Sequence, residues 1–509
     1  MSEKSPMMPT ETPQKATQKV IKSIPPDGGW GWMVIIGAAL SNIFNQSMLS
    51  LFSLLYGDAL EDMGHKTKGA ALVLSTMLFT TNFGGPIAGA IIKLTSPRFV
   101  AIIGACSCTL GIFFSGYSTN IWHLVISYGI FLGLGLGFIQ NASFVAVNSY
   151  FKLKKSRAVG LANVGTGVGQ SLMPHLVRYL LENFGFRGAC LILSSLSLHG
   201  IAGCMLIQPV ERHMKKIVEE VPIDETKQLL HNQQTGSNSG IILKPGINPN
   251  QPLNGKEINV GSKNNMPPSD CAICHGLAPA PRKNIFQQLY DLFGIVLLGD
   301  IRFINIVIGT ALAVTSIQNF SMLYPLFLQK MANMDKQQTA NCMSAVALAD
   351  ILGRLTLPIF QDKYKIKARL MLIFTCIWLI ITRQILAYQT DMMVLIAMSA
   401  LYGFGRSTII VSRNIAISEN CKLDQVPAAV GLGMLTMGII VPPTGFFLGW
   451  IRDYTSSYII CITAQNLLLV ILLATWIPDM VFLYMKERQD RKNAMYAAAY
   501  AARTQYPKV

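Results

Sequence analysis

Apolar runs punctuate this chain at about 31–55, 70–92, 99–117, 122–147, 158–181 and 188–208. After a polar stretch over roughly 210–290, six more follow at about 302–328, 338–360, 369–388, 392–415, 427–450 and 458–484. Each run is close to the ~20 residues an α-helix needs to cross a bilayer. The polar stretch holds His-Asn-Gln-Gln-Thr-Gly-Ser-Asn-Ser-Gly from His231 and Asn-Pro-Asn-Gln-Pro from Asn248. Such a composition cannot bury a core and is expected to be disordered, as is the lysine-bearing tail over 1–26. Six runs on each side of one central loop predict an all-α integral membrane protein of 12 transmembrane helices, built as two related six-helix halves packed face to face. The expected map is a tail over 1–30, one half over 31–208, a loop over 209–300, the other half over 301–485 and a second tail over 486–509.

Charge placement orients these spans. Lys152, Lys154, Lys155 and Arg157 fall between the fourth and fifth runs, and Lys363, Lys365, Lys367 and Arg369 between the eighth and ninth. Lys486, Arg488, Arg491 and Lys492 follow the last. The alternate loops are poorer in basic residues, so both termini and the central loop are placed in the cytoplasm. Of all residues, 51% are hydrophobic and 13% charged, against about 25% charged in soluble domains. The net charge of +16 is divided among short clusters between apolar runs, which argues against a nucleic-acid partner and for the lipid bilayer. The first run begins near Met33, behind a polar tail, so no cleavable leader is expected.

The ten cysteines form no framework. Cys271-Ala-Ile-Cys274-His275 has the form of a haem-attachment string, but it lies in the polar loop and is read as chance, with half a metal site as the rival. No cofactor or metal is expected. Gly129, Gly133 and Gly137, with Gly135 beside them, and Gly165, Gly167 and Gly169 mark faces for close helix packing. No strand precedes them, which removes a dinucleotide-binding reading.

The eighth run carries the costliest residues. Asp350 and Arg354 stand four apart and so share one helix face. A charge at membrane depth costs ~2.5–3.5 kcal/mol on insertion. Two readings stand: an ion pair that pins two helices, or a site for a charged solute or a proton. No Gly-x-x-x-x-Gly-Lys-Ser/Thr string is present, and no nucleophile beside a base or metal-spaced cluster, so the chain is expected not to be an enzyme or an ATP-driven pump.

Pro26-Asp27-Gly28-Gly29-Trp30-Gly31-Trp32 resembles the signature of the monocarboxylate transporter family (solute carrier 16-like) of the major facilitator superfamily. Tyr150-Phe151-Lys152-Leu153-Lys154-Lys155-Ser156-Arg157-Ala158-Val159-Gly160-Leu161-Ala162 resembles that family's string entering the fifth span. Phe184–Gly188 and Ala429–Leu432 add to the likeness, which covers all twelve spans but neither the tails nor the central loop. Trp30 and Trp32 suit the headgroup level, and Gly28 and Gly29 let the chain turn into the span, so the Asp27 motif reads as an interfacial anchor. The Lys152–Arg157 cluster reads as a topology signal, with gating as the alternative.

The resemblance implies that Arg354 pairs with a substrate carboxylate, a geometry its planar fork suits. Asp350 would hold Arg354 in the empty site and accept the coupling proton. Lactate-type members carry an intramembrane lysine in the first span. Here Ser50 takes its place, with Asn45, Gln46 and Ser47 one turn earlier. In the tenth span Arg406 stands where those members have an aromatic residue. It reads either as a second cationic contact or as a structural partner of Asp350. Arg413, two turns on, reads as a snorkelling anchor at the cytoplasmic rim. Asn82, Asn163 and Thr166 are further polar candidates. Arg178 and Glu182 read as a salt bridge, and His175 as structural.

The expected function is secondary active or facilitative movement of a monocarboxylate-type solute across the plasma membrane by alternating access, with proton symport. The alternative is a proton-independent facilitator of an aromatic amino acid, hormone, creatine or carnitine-like solute. A further class, a sensor or scaffold that has lost transport, sits badly with retention of Asp350 and Arg354. The family also implies a single-pass immunoglobulin-type chaperone glycoprotein as partner.

Overall fold

The computed structural model describes residues 17–62, 64, 67–222, 241–242 and 284–504. The Cys271–His275 string and most of the central polar stretch lie outside them. Backbone contacts divide the chain into two units, Met1–Ile24 with Met214–Leu289, and Pro25–His213 with Tyr290–Val509.

In the small unit, β1 (Thr17–Ile24) pairs antiparallel with β2 (Lys215–Pro222) and with β3 (Ile241–Ile242), in the order β2-β1-β3. These segments were expected to be unstructured, and here the structure differs. Val20, Ile21 and Ile24 on one strand and Ile217, Val218 and Val221 on the other are β-branched residues that favour a pleated strand. The register sets Lys19 opposite Glu220.

The large unit is helical. Its helices are α1 (Gly31–Phe44), α2 (Phe52–Asp62), α3 (Thr67–Leu94), α4 (Pro97–Ser115), α5 (Ile121–Leu124), α6 (Gly133–Tyr150) and α7 (Lys155–Met205), then α8 (Ile285–Phe293), α9 (Ile301–Lys330), α10 (Lys336–Lys363), α11 (Ala368–Ala387), α12 (Met392–Ser418), α13 (Val426–Thr455) and α14 (Tyr458–Thr504). Only the end of α8, from Tyr290, belongs to this unit. Ten helical segments among the described residues are long and apolar enough to cross a membrane.

Several runs are shaped differently from the simple spans expected. The first is interrupted by a 3-10 turn at Gln46–Ser50. There the Ser47 hydroxyl donates to the Ile43 carbonyl at 2.5 Å and the Asn45 amide to the Ser41 carbonyl at 3.3 Å. Short polar side chains that bond backbone carbonyls in this way offer the chain an alternative to the helical ladder. The fourth run contains a π-helical stretch, Val125–Leu132, and the Thr80 hydroxyl of α3 donates to the Gly129 carbonyl within it at 2.6 Å. The fifth and sixth runs form one track, α7, broken at Gly185, whose φ of 66° and ψ of −179° suit glycine alone. The last helix runs past the expected tail boundary at 486 to Thr504, through an alanine-rich end of high helix propensity.

Glycines set the helix spacing as expected. A Cβ on Gly169 would lie 2.6 Å from the Ile43 carbonyl oxygen of α1, and one on Gly133 would lie 2.8 Å from the Met77 oxygen of α3. The Asp27 motif acts as an internal clasp. The Asp27 carboxylate accepts from the Lys152 and Leu153 amides at 2.6 and 2.8 Å. The Trp30 indole donates to the Leu206 carbonyl at 3.2 Å and stacks on His213. The anchor reading therefore needs correction for Trp30, whose polar edge is spent on protein. Trp32 remains exposed, as an interfacial residue would be.

Candidate functional site

Five helices converge on a cavity of about 140 Å³. At ~10–15 Å³ per water this is room for on the order of ten waters, enough for a small organic acid. From the first half, the α1 segment contributes Asn42 and Gln46, α6 contributes Gln140, Ser143, Phe144 and Val147, and α7 contributes Val159, Asn163, Thr166 and Gln170. These positions recur at three- and four-residue intervals, so each set lies along one helix face. From the second half come Arg354 of α10 and Arg406, Ile410, Arg413 and Asn414 of α12.

Arg354 is only 2% exposed. Its Nη2 meets the Asp350 carboxylate at 2.6 Å and its Nη1 donates to the Asn163 carbonyl at 2.6 Å. Its Nε, and Oδ1 of Asp350, have no hydrogen-bond partner. The pair thus keeps one donor and one acceptor in reserve. Local sequence positions it. Pro358 has no N–H for the Arg354 carbonyl, and Gly160 lets α7 approach that carbonyl, since a Cβ there would lie 2.7 Å from the oxygen. α7 and α10 therefore touch directly beside the charge pair.

Arg406 is half-buried, with no ion-pair or hydrogen-bond partner recorded among the described residues, and it makes no ion pair with Asp350. Arg413 does not reach out as a rim anchor. It lines the same cavity and donates only to the Met437 sulfur at 3.4 Å. A seven-residue step is nearly two helical turns, so Arg406 and Arg413 share a face; that spacing was the signal available in the sequence.

Gln46 and Thr166 line the cavity as expected. Asn82 does not: its amide donates to the Leu78 carbonyl of its own helix at 2.8 Å, and its side chain packs beside Gly438. The side chain of Ser50 lies outside the described residues. Arg178 and Glu182 form an exposed salt bridge at 2.9 Å. Asn42, Gln140, Gln170 and Asn414 were missed, because a single amide inside an apolar run carries little pattern. Arg383 was missed too. It is fully buried away from this cavity, beside the Ser316 hydroxyl at 2.7 Å and the rings of Phe320 and Tyr402.

Hydrogen bonds also tie α7 to α10 and α12. The Asp362 carboxylate accepts from the Ser156 and Arg157 amides at 3.1 and 2.9 Å, an anion at the N-terminus of α7. The Lys155 ammonium donates to the Ser418 hydroxyl at 2.6 Å. The basic cluster read as a topology signal thus also joins the halves. Glu419 accepts from the Ala368 amide at 3.0 Å. Burial pushes its carboxyl above the ordinary range, opposed by that amide and by Lys155 and Lys367.

The Major Facilitator Superfamily model matches residues 35–245 and 306–499. The chain belongs to the Major Facilitator Superfamily and, within it, is similar to the monocarboxylate transporters: a multi-pass membrane protein of the solute-carrier kind, in a family that carries out transmembrane transport. It is 31% identical over 199 residues to mouse monocarboxylate transporter 2, covering 39% of this chain and 41% of that one. With rat monocarboxylate transporter 13 the figures are 30% over 191 residues, 38% and 45%. These matched stretches thus span less than half the length of either relative. Human monocarboxylate transporter 14 is 26% identical over 454 residues, covering 85% of this chain and 87% of that one. The crystal structure of the human organic anion transporter MFSD10 (TETRAN) superposes with a TM-score of 0.61 at 13% identity, over 89% of this chain and 100% of that one, a likeness of fold.

Proposed function

We propose that this chain moves a small carboxylate-bearing solute across the plasma membrane by alternating access. Twelve spans follow if the interrupted first segment counts as one and α7 as two, split at Gly185. They form two six-helix halves with both termini in the cytoplasm. The observation that carries the reading is Arg354. It is a buried guanidinium in the cavity wall, held by Asp350, with an unpartnered Nε. A solute carboxylate takes that fork, and Arg406 supplies a second cationic contact across the cavity. Gln46 and Thr166 hold the solute's neutral polar atoms.

Asp350 carries the proton in this scheme. A substrate anion that takes Arg354 displaces the counter-ion of Asp350. The ties at Asp362 and Lys155 form the gate that must open for release on that side. A single-pass glycoprotein partner for surface delivery is part of the proposal. Uptake measured with and without an imposed proton gradient tests the coupling. Faster uptake with an inward gradient is expected, and an unchanged rate removes symport in favour of facilitated movement.

A further inference from the structure

Arg413 gives the cavity more positive charge than one carboxylate can balance. Three guanidiniums, those of Arg354, Arg406 and Arg413, line it. Among the described residues, the one acid in ion-pair contact with any of them is Asp350, at 2.6 Å from Arg354. Nε of Arg406 and Nε of Arg413 have no hydrogen-bond partner among the described residues, and Arg413 is otherwise held only by the Met437 sulfur. Two further acids at the ends of α10 and α12 are already engaged, Asp362 by the N-terminus of α7 and Glu419 by the Ala368 amide. Three cations against one carboxylate leave two positive charges facing the solute.

The amides on the opposite wall accept hydrogen bonds but bring no negative charge. Alternating access requires the cavity to close around its occupant and shed water, and a charge left uncompensated at that depth is costly. Whether or not Asp350 holds its proton, a dianion leaves one fewer guanidinium unbalanced on closure than a monoanion does. Arg406 and Arg413 stand ~10 Å apart along one face of α12, at 1.5 Å per residue. They therefore present an extended cationic strip, and a guanidinium recognises carboxylate oxygens with a matched fork.

We infer that the transported solute is a dicarboxylate, with one carboxylate on Arg354 and the second between Arg406 and Arg413, Arg413 being the residue that selects for the second charge. This inference rests on the carboxylate reading above for its first contact.

The test is uptake of radiolabelled succinate and butyrate, four-carbon acids that differ by one carboxylate, into proteoliposomes holding the full chain at neutral pH. Succinate is expected to be taken up about ten-fold faster or more, since a charge-assisted hydrogen bond commonly sets differences of that order. Arg413→Gln is expected to lower the succinate-to-butyrate ratio about ten-fold, and Arg413→Lys to keep most of it. Unlabelled succinate is expected to compete against butyrate in the unaltered protein, a measurement that needs no variant to fold. Butyrate uptake that succinate neither shares nor inhibits overturns the dicarboxylate inference and leaves the carboxylate reading standing. Preference for succinate that survives Arg413→Gln overturns the role of Arg413. Failure of both acids to enter or compete overturns both readings.

Discussion

Two walls of the cavity differ in chemistry. The wall from α1, α6 and α7 offers Asn42, Gln46, Gln140, Ser143, Asn163, Thr166 and Gln170, and no charge. The wall from α10 and α12 offers three arginines. Several amides on the neutral side are already spent within their own half. Asn42 donates to the Ala162 carbonyl at 2.9 Å, Gln46 to the Leu136 carbonyl at 3.0 Å and Asn163 to the Val159 carbonyl at 2.9 Å. On the charged side, Nε of each arginine is left without a partner. The neutral wall has several amides already bonded, with Ser143 Oγ unpartnered among the described residues, while every arginine of the charged wall has an unbonded Nε. In the proposed mechanism the wall from α10 and α12 recognises charge, and the wall from α1, α6 and α7 supplies shape and weak polar contacts.

Substitutions should reveal that asymmetry. The largest effect is expected for Arg354→Gln, which removes the carboxylate contact and strands Asp350 without its counter-ion. Breaking one side of a buried pair costs ~3–5 kcal/mol, so uptake should fall more than about 100-fold. Part of that loss comes from folding, which surface labelling reads separately. Arg406→Phe should shift relative uptake among carboxylates about ten-fold while surface level stays within about two-fold. If the variant instead fails to reach the surface while its substrate preference is unchanged, Arg406 is a structural residue.

Asp362→Asn keeps the size of the side chain and removes the charge at the α7 N-terminus. A helix-terminal charge contributes ~0.3–1 kcal/mol, so the balance between gate states should move about two- to five-fold. Distances between spin labels on the two halves would show it, and an unmoved distribution would leave the tie without a gating role. Thr166→Val, on the neutral wall, should change uptake of any one acid by no more than about three-fold. A larger loss there than at Arg406 would reverse the assignment of roles to the two walls.

Much of this was legible in the chain. Hydrophobic runs located the helices because each must satisfy its backbone internally while crossing lipid. Asp350 and Arg354 stood out because charge at that depth is costly. Arg413 was placed wrongly because it lies near the end of a run, where a long cationic side chain usually reaches water. Its seven-residue step from Arg406 outweighs that expectation once α12 is seen to line a cavity. Asn82 stood at a promising position, but its amide closes on its own helix, a choice that depends on packing against Gly438. The strand at Thr17–Ile24 escaped notice because its partner, Lys215–Pro222, lies almost two hundred residues away. The turn at Gln46–Ser50 was also hidden, since hydropathy reads the same through a broken helix as through a straight one.

The central claim is that Arg354 is the anion-binding group of a carboxylate transporter. Its most direct test compares the native chain with Arg354→Gln and with the charge-balanced double variant Asp350→Asn/Arg354→Gln, matched for surface level, in uptake of radiolabelled carboxylates. The account predicts that the double variant regains surface expression, because neither member of the Asp350–Arg354 pair is left without the other, yet takes up no carboxylate. Carboxylate uptake by the double variant at the native rate would contradict it.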